Sequence, residues 1–138
     1  MLDVNISIIK LILSVVGFMG VGYFWYGPLF GKQWRHLTKI HDDKISKKEM
    51  QTSMAYSVLV AIIMNFVYQH IVQMSLFSFG GSEFAASLKT GFWVWLGFIV
   101  TVVLMNNTYE RKPKKLTYIN SGYLLVVMVV FAIVNSLF

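Results

Sequence analysis

The chain has 138 residues, 57% of them hydrophobic and only 13% charged, with twelve Lys and Arg against six Asp and Glu and a formal net charge of +6. So apolar a composition leaves too little polar surface for an ordinary water-soluble core, and the length suits a single domain over 1–138. The absence of cysteine excludes disulfides, thiolate nucleophiles, iron–sulfur ligation and most structural zinc.

Four apolar stretches follow one another at 4–24, 55–76, 84–105 and 118–138, each 21 or 22 residues long. A helix needs roughly 20 residues to cross the ~30 Å hydrocarbon core, so each is long enough to span. The expected fold is therefore all-α: a four-transmembrane-helix bundle made of two hairpins. The first stretch is too long for a signal-peptide core. Asp3 and Lys10 make a poor basic leader, and Tyr23-Phe24-Trp25-Tyr26 is bulky where a cleavage site needs small residues, so a retained span is expected.

Gly27-Pro28 should end or bend the first helix. Beyond it, Phe30, Trp34, Leu37 and Ile40 recur at steps of four, three and three, with Lys32, Arg35 and Lys39 between them. This pattern predicts a short amphipathic interfacial helix in the first loop, its cations toward anionic lipid headgroups. Ser46-Lys47-Lys48-Glu49 has the form of a capping box, which would start the second helix before it enters lipid.

Within the second stretch, Asn65, Gln69 and Gln73 fall on one helical stripe, with His70 on an adjoining face. Such amides either bond helix to helix or line a cavity. Small residues suited to close helix contact occur at Ser14, Gly17 and Gly20, at Ser87 and Gly91, at Gly97 and Thr101, and at Ala132 and Ser136. Trp93 and Trp95 lie near mid-span on different faces, and at least one should pack inward, its indole N–H seeking a partner such as Asn65. A second polar cluster, Asn106, Asn107, Asn120 and Tyr123, flanks the third connection, where the asparagines could also cap helices.

Ten of the twelve cations sit in the first and third connections, and the middle one, 78–83, has none. Short loops rich in Lys and Arg stay on the cytoplasmic side, which places those loops inside and both termini outside, as in a multi-pass protein of a bacterial cytoplasmic membrane. Basicity of this kind sets topology. A nucleic-acid surface would want aromatics placed to stack on bases, and Glu110-Arg111-Lys112-Pro113-Lys114-Lys115 offers none, so no nucleic-acid partner is expected.

The run Gly22-Tyr23-Phe24-Trp25-Tyr26-Gly27-Pro28-Leu29-Phe30-Gly31-Lys32-Gln33-Trp34 resembles the signature of the small bacterial and fungal membrane proteins grouped as domain of unknown function 1761. The four-span layout and the second cluster, Asn106-Asn107, Pro113 and Asn120 to Tyr123, agree with it in outline. The resemblance implies a family and a fold, and no activity. On physical grounds alone, Trp25, Tyr26, Gly27, Pro28, Phe30, Gly31, Lys32 and Trp34 form either an inner-interface aromatic girdle around a Gly-Pro turn or a substrate or partner site.

No span interior contains Asp or Glu; Asp3 and Glu83 lie at the outer mouth, which argues against carboxylate-coupled proton transport. Lys10, Asn65, Gln69, His70, Gln73, Lys89 and Trp93 could converge on an outward-facing cationic vestibule for a small polar or anionic solute, unless Lys10 and Lys89 snorkel to the interface. A carrier of only four spans would be expected to work as a homodimer. His36, His41 and His70 form no metal or catalytic pattern, and no carboxylate pair is placed for acid–base work. The reading is a non-enzymatic membrane protein, without metal or cofactor, that uses residues 25–48 for assembly or partner contact; the alternative is the small-solute carrier.

Overall fold

The computed structural model describes residues 5–41 and 44–138. Helix α1 (Ile8–Phe24) starts behind Ser7, whose hydroxyl accepts the Lys10 amide at 3.3 Å. It runs into a widened π-turn, Trp25–Leu29, in which the Phe30 amide donates to the Trp25 carbonyl at 2.8 Å. Pro28 has no amide hydrogen, and the wider turn carries the proline that an α-helical ladder would reject. The first helix thus leaves α-geometry just ahead of Gly27-Pro28 and ends one residue beyond the proline, at Leu29. Helix α2 (Gly31–Thr38) follows at once and stops at Lys39, which has φ 58°.

Helix α3 (Lys47–Phe79) opens with the expected capping box: the Glu49 amide donates to the Ser46 hydroxyl at 3.1 Å, and the Ser46 amide to the Glu49 carboxylate at 2.8 Å. At 33 residues it is roughly 50 Å long, well beyond the hydrocarbon thickness, and starts eight residues before the apolar stretch. Capping, a local polar signal, sets this start, whereas hydropathy marks only the apolar part. A turn through Gly80 (φ 67°) and Gly81 (φ 94°) leads to α4 (Glu83–Val94), capped by Ser82. A second π-turn, Trp95–Val100, joins α4 to α5 (Thr101–Tyr109), and α6 (Lys114–Leu137) completes the chain.

Four helical segments are long and apolar enough to cross a membrane: Ile8–Leu29, Lys47–Phe79, Glu83–Tyr109 and Lys114–Leu137. They replace the expected bounds 4–24, 55–76, 84–105 and 118–138; Val4, where the first was to begin, lies outside the described residues. No strand occurs among the described residues.

Helix α6 is the hub. It packs against α1 and α4, and also meets α2, α5 and the second π-turn, while α3 leans on α1 and α4. The core gathers Phe18, Ala61, Tyr68, Val72, Tyr123, Val127, Met128 and Phe131. Close approach needs glycine at two crossings. A Cβ on Gly17 would lie 2.6 Å from Val130 Cγ1, and one on Gly91 would lie 3.2 Å from the Met128 side chain. The Gly20 and Gly97 positions instead face open space. The contact expected at Gly97 and Thr101 is not made between helices: the Thr101 hydroxyl donates to its own helix's Gly97 carbonyl at 2.7 Å.

Candidate functional site

Two groups of residues 94 or more positions apart meet at the basic end of the bundle, where α1 finishes and α6 begins. The Trp25 indole N–H donates to the Ile119 carbonyl at 2.9 Å, and the Tyr26 hydroxyl to the Asn120 side-chain oxygen at 2.8 Å. Tyr123 answers from α6, its hydroxyl donating to the Phe18 carbonyl at 3.2 Å. Ring contacts join Trp25 to Phe30, Tyr26 to Trp34 and Tyr26 to Tyr123, with centroids 4.6, 5.4 and 5.2 Å apart. Such edge-on and tilted aromatic pairs add about 0.5–1.5 kcal/mol each beyond their buried area.

The glycines of this run serve the same junction. A Cβ on Gly31 would lie 2.6 Å from the Tyr26 carbonyl oxygen, so only glycine lets α2 fold back this tightly under the first π-turn. Across the interface, a Cβ on Gly122 would stand 3.0 Å from Trp25 Cζ2. Gly27 is exposed with nothing near its Cβ position, and Pro28 and Lys32 also face outward. Of the signature aromatics, Trp25 and Tyr26 turn toward α6. Both are half-buried and spend their polar groups on α6, because each N–H or O–H finds a partner there.

The second π-turn repeats the device. Trp95 opens it, and its indole N–H donates to the Ser121 carbonyl at 2.7 Å, two residues along α6 from the carbonyl that Trp25 holds. Each turn begins Trp-x-Gly, Trp25 to Gly27 and Trp95 to Gly97. The inward tryptophan is thus Trp95, and its partner is a helix carbonyl where Asn65 was expected. Trp93 is 66% exposed and cannot line a vestibule among the helices. The repeated Trp-x-Gly was the available signal.

Within the second cluster, the buried Asn107 side chain donates to the Thr117 hydroxyl at 2.9 Å, closing the α5–α6 turn. Asn106 is exposed and contributes its backbone carbonyl to the helix end. Two clefts flank the junction. One, of about 530 Å³, lies between α1 and the first turns of α3, lined by Met19, Tyr23, Tyr26, Met50, Ser53, Met54, Ser57 and Tyr123 among others. The other, of about 580 Å³, lies between α2 and the α5–α6 turn, where Lys39, Arg111, Lys112, Trp34, Leu116 and Asn120 contribute.

The intramembrane amides form a ladder toward the opposite end. The Asn65 side chain donates to the Ser14 hydroxyl at 2.9 Å, Gln69 donates to Asn65 at 2.8 Å, and the Ser7 amide donates to Gln69 at 3.1 Å. These bonds tie α3 to α1. Gln73 is half-buried and takes no part in the ladder. His70 turns back on its own helix, its Nδ1 2.8 Å from the Phe66 carbonyl and its ring against Phe66.

Lys10 pairs with Glu83, Nζ to Oε1 2.7 Å, a partner overlooked in the sequence because 73 positions separate them. Lys89 is exposed, on the side of α4 away from the packed Ala86, Ser87, Thr90 and Gly91. The seven expected vestibule residues therefore do not converge: Asn65 and Gln69 bond each other, Lys10 pairs elsewhere, and His70, Gln73, Lys89 and Trp93 stand apart. No group of three or more metal-ligating side chains occurs among the described residues.

A family model described as "Protein of unknown function (DUF1761)" matches residues 9–136, which takes in the junction, both π-turns and all four apolar helices. No curated protein and no solved structure is significantly similar to the chain. With nearly its whole length matched, this four-helix chain belongs to the DUF1761 family.

Proposed function

We propose that this is a non-enzymatic, multi-pass protein of a bacterial cytoplasmic membrane, both termini outside, whose inner surface around residues 25–48 and the start of α3 takes a protein partner or a second copy of the chain. One observation carries the reading: the 530 Å³ cleft where α3 leaves the bundle. Its walls include Met19, Met50 and Met54, flexible side chains suited to packing against varied partner surfaces, with Ser53 and Ser57 available for hydrogen bonds. Beside it the polar groups of Trp25, Tyr26 and Asn120 are engaged in holding the wall rigid. The small-solute carrier draws less support, since Asn65 and Gln69 give their amides to helix contacts and Lys10 is paired with Glu83.

A photocrosslinking residue at Met54, compared with one at the exposed Phe98, tests the proposal in intact cells. A discrete protein adduct at Met54 and none at Phe98 is expected; lipid adducts alone at both positions would overturn it. Orientation has a separate test in this cysteine-free chain. A cysteine at Ser82 should react with an impermeant reagent from outside, and protection there would reverse the topology.

A further inference from the structure

We propose that the cleft between α2 and the α5–α6 turn is a binding site for a phosphate group, supplied by an anionic lipid headgroup at the inner membrane surface. The inference does not rest on the partner reading, which is carried by the other cleft, although α2 lies within residues 25–48 and lines this one. Three cations line the site: Lys39, Arg111 and Lys112. Lys112 is balanced by Glu110, Nζ to Oε2 2.5 Å, while Lys39 and Arg111 make no ion pair among the described residues. Among the described residues, two positive charges thus stand without an acidic partner over a concavity of about 580 Å³. Of its other walls, Trp34, Leu37 and Leu116 are apolar, Asn120 adds an amide, and Glu110, the partner of Lys112, is the one carboxylate among the described lining residues. A lipid phosphate at the headgroup level meets the same mixture of cations above and apolar surface below.

The backbone singles out the same two cations. Lys39 (φ 58°) and Arg111 (φ 56°) are the non-glycine residues with positive φ among the described residues, and both line this cleft. Arg111 occupies the left-handed position of a Schellman motif, with the Lys112 amide donating to the Asn107 carbonyl at 2.8 Å and the Arg111 amide to the Thr108 carbonyl at 3.1 Å. Glycine is the residue that such a position favours, because it has no Cβ to strain. Helix ends at Lys39 and Arg111 accept that strain, and what each gains is a long cationic arm over one cleft. A positive side chain also suits the negative end of a helix, which explains a cation at either place but not why both reach the same cavity.

The experiment exploits the backbone. In Lys39→Gly/Arg111→Gly the fold should be retained or strengthened while the charge is removed. The full chain, purified in neutral detergent, is titrated with phosphatidylglycerol and, separately, phosphatidylcholine, and bound lipid is counted by native mass spectrometry. Wild type should retain phosphatidylglycerol preferentially, and the double glycine variant should lose about thirtyfold in affinity, as two cations at an anionic surface imply. Lys39→Arg/Arg111→Lys should restore binding. Lys47→Gln/Lys48→Gln, which removes the same charge outside the cleft, should leave it nearly intact. Equal losses in the two charge-removing pairs would mean diffuse attraction by the basic loops, and undiminished binding in the glycine variant would also overturn the site. An excess of inorganic phosphate separates the sources: competition at millimolar concentration would identify a free phosphate as ligand, and its absence would identify the lipid headgroup.

Discussion

Gly31→Ala and Gly27→Ala change two glycines four positions apart in the same signature and should have different effects. The methyl carbon at position 31 would lie 2.6 Å from the Tyr26 carbonyl oxygen and 3.2 Å from its carbon. A relaxed carbon–oxygen contact needs about 3.3 Å, so something must move by roughly 0.7 Å. The obstructing atom is backbone, in a turn closed by the 2.8 Å bond from the Phe30 amide to the neighbouring Trp25 carbonyl, and cannot swing aside like a side chain. Overpacking of this kind costs roughly 1–3 kcal/mol. Helix propensity would return part of it, at most about 1 kcal/mol. A net destabilisation of about 1–2 kcal/mol is expected, with α2 displaced from Tyr26. At position 27 the methyl meets nothing within 4 Å and the backbone φ is ordinary, so alanine should be neutral or stabilising by up to about 1 kcal/mol. Equilibrium unfolding in mixed micelles of a mild detergent and sodium dodecyl sulfate, followed by circular dichroism, measures both. A Gly31→Ala protein as stable as wild type, or a Gly27→Ala protein equally damaged, would refute the reasoning.

Three further comparisons probe the rest of the bundle by the same unfolding measurement. Asn65→Ala removes the bond to Ser14 and leaves the Gln69 amide N–H only its longer contact to the Ser7 carbonyl, and should cost roughly 1–2 kcal/mol, whereas Gln73→Ala should change nothing measurable. Tyr68→Phe removes a 2.6 Å hydrogen bond to the Ser87 carbonyl and should lose about 1 kcal/mol; Ser87→Ala removes a buried hydroxyl with no partner and should be neutral or stabilising, so the reverse order would contradict the packing described. A double-mutant cycle of Lys10→Gln and Glu83→Gln should give a favourable coupling of up to about 1 kcal/mol that weakens with salt, since the glutamate is 38% exposed; no coupling in low salt would mean the pair does not form.

Several features were legible because they are local. The capping box at Ser46 and Glu49 needs only four residues, and the break in α-geometry around Pro28 follows from one missing amide hydrogen. Small residues were a weaker guide: Gly17 and Gly91 are crossings, while Gly20 and Gly97, of the same type, touch nothing. A glycine permits close approach without requiring it, and the neighbour that makes the approach belongs to another helix. The vestibule failed for a similar reason. Lys10, His70 and Lys89 were expected toward the same, outer ends of their apolar stretches, yet position along a helix does not say which way a side chain turns, and they turn apart.

By itself, then, the amino-acid sequence determined the class, the four apolar helices, the alternation of basic and uncharged connections and the family signature, all of which depend on hydropathy, charge and short motifs read along the chain. Tertiary structure decided the site. It turned Trp95 inward and Trp93 outward, brought Lys10 to Glu83, and closed Trp25 and Tyr26 on Ile119 and Asn120 across 94 positions. A π-turn inserts an extra residue and rotates every later side chain by about 100°, and helix pairing joins residues whose separation in sequence carries no signal, so neither outcome can be read from periodicity alone.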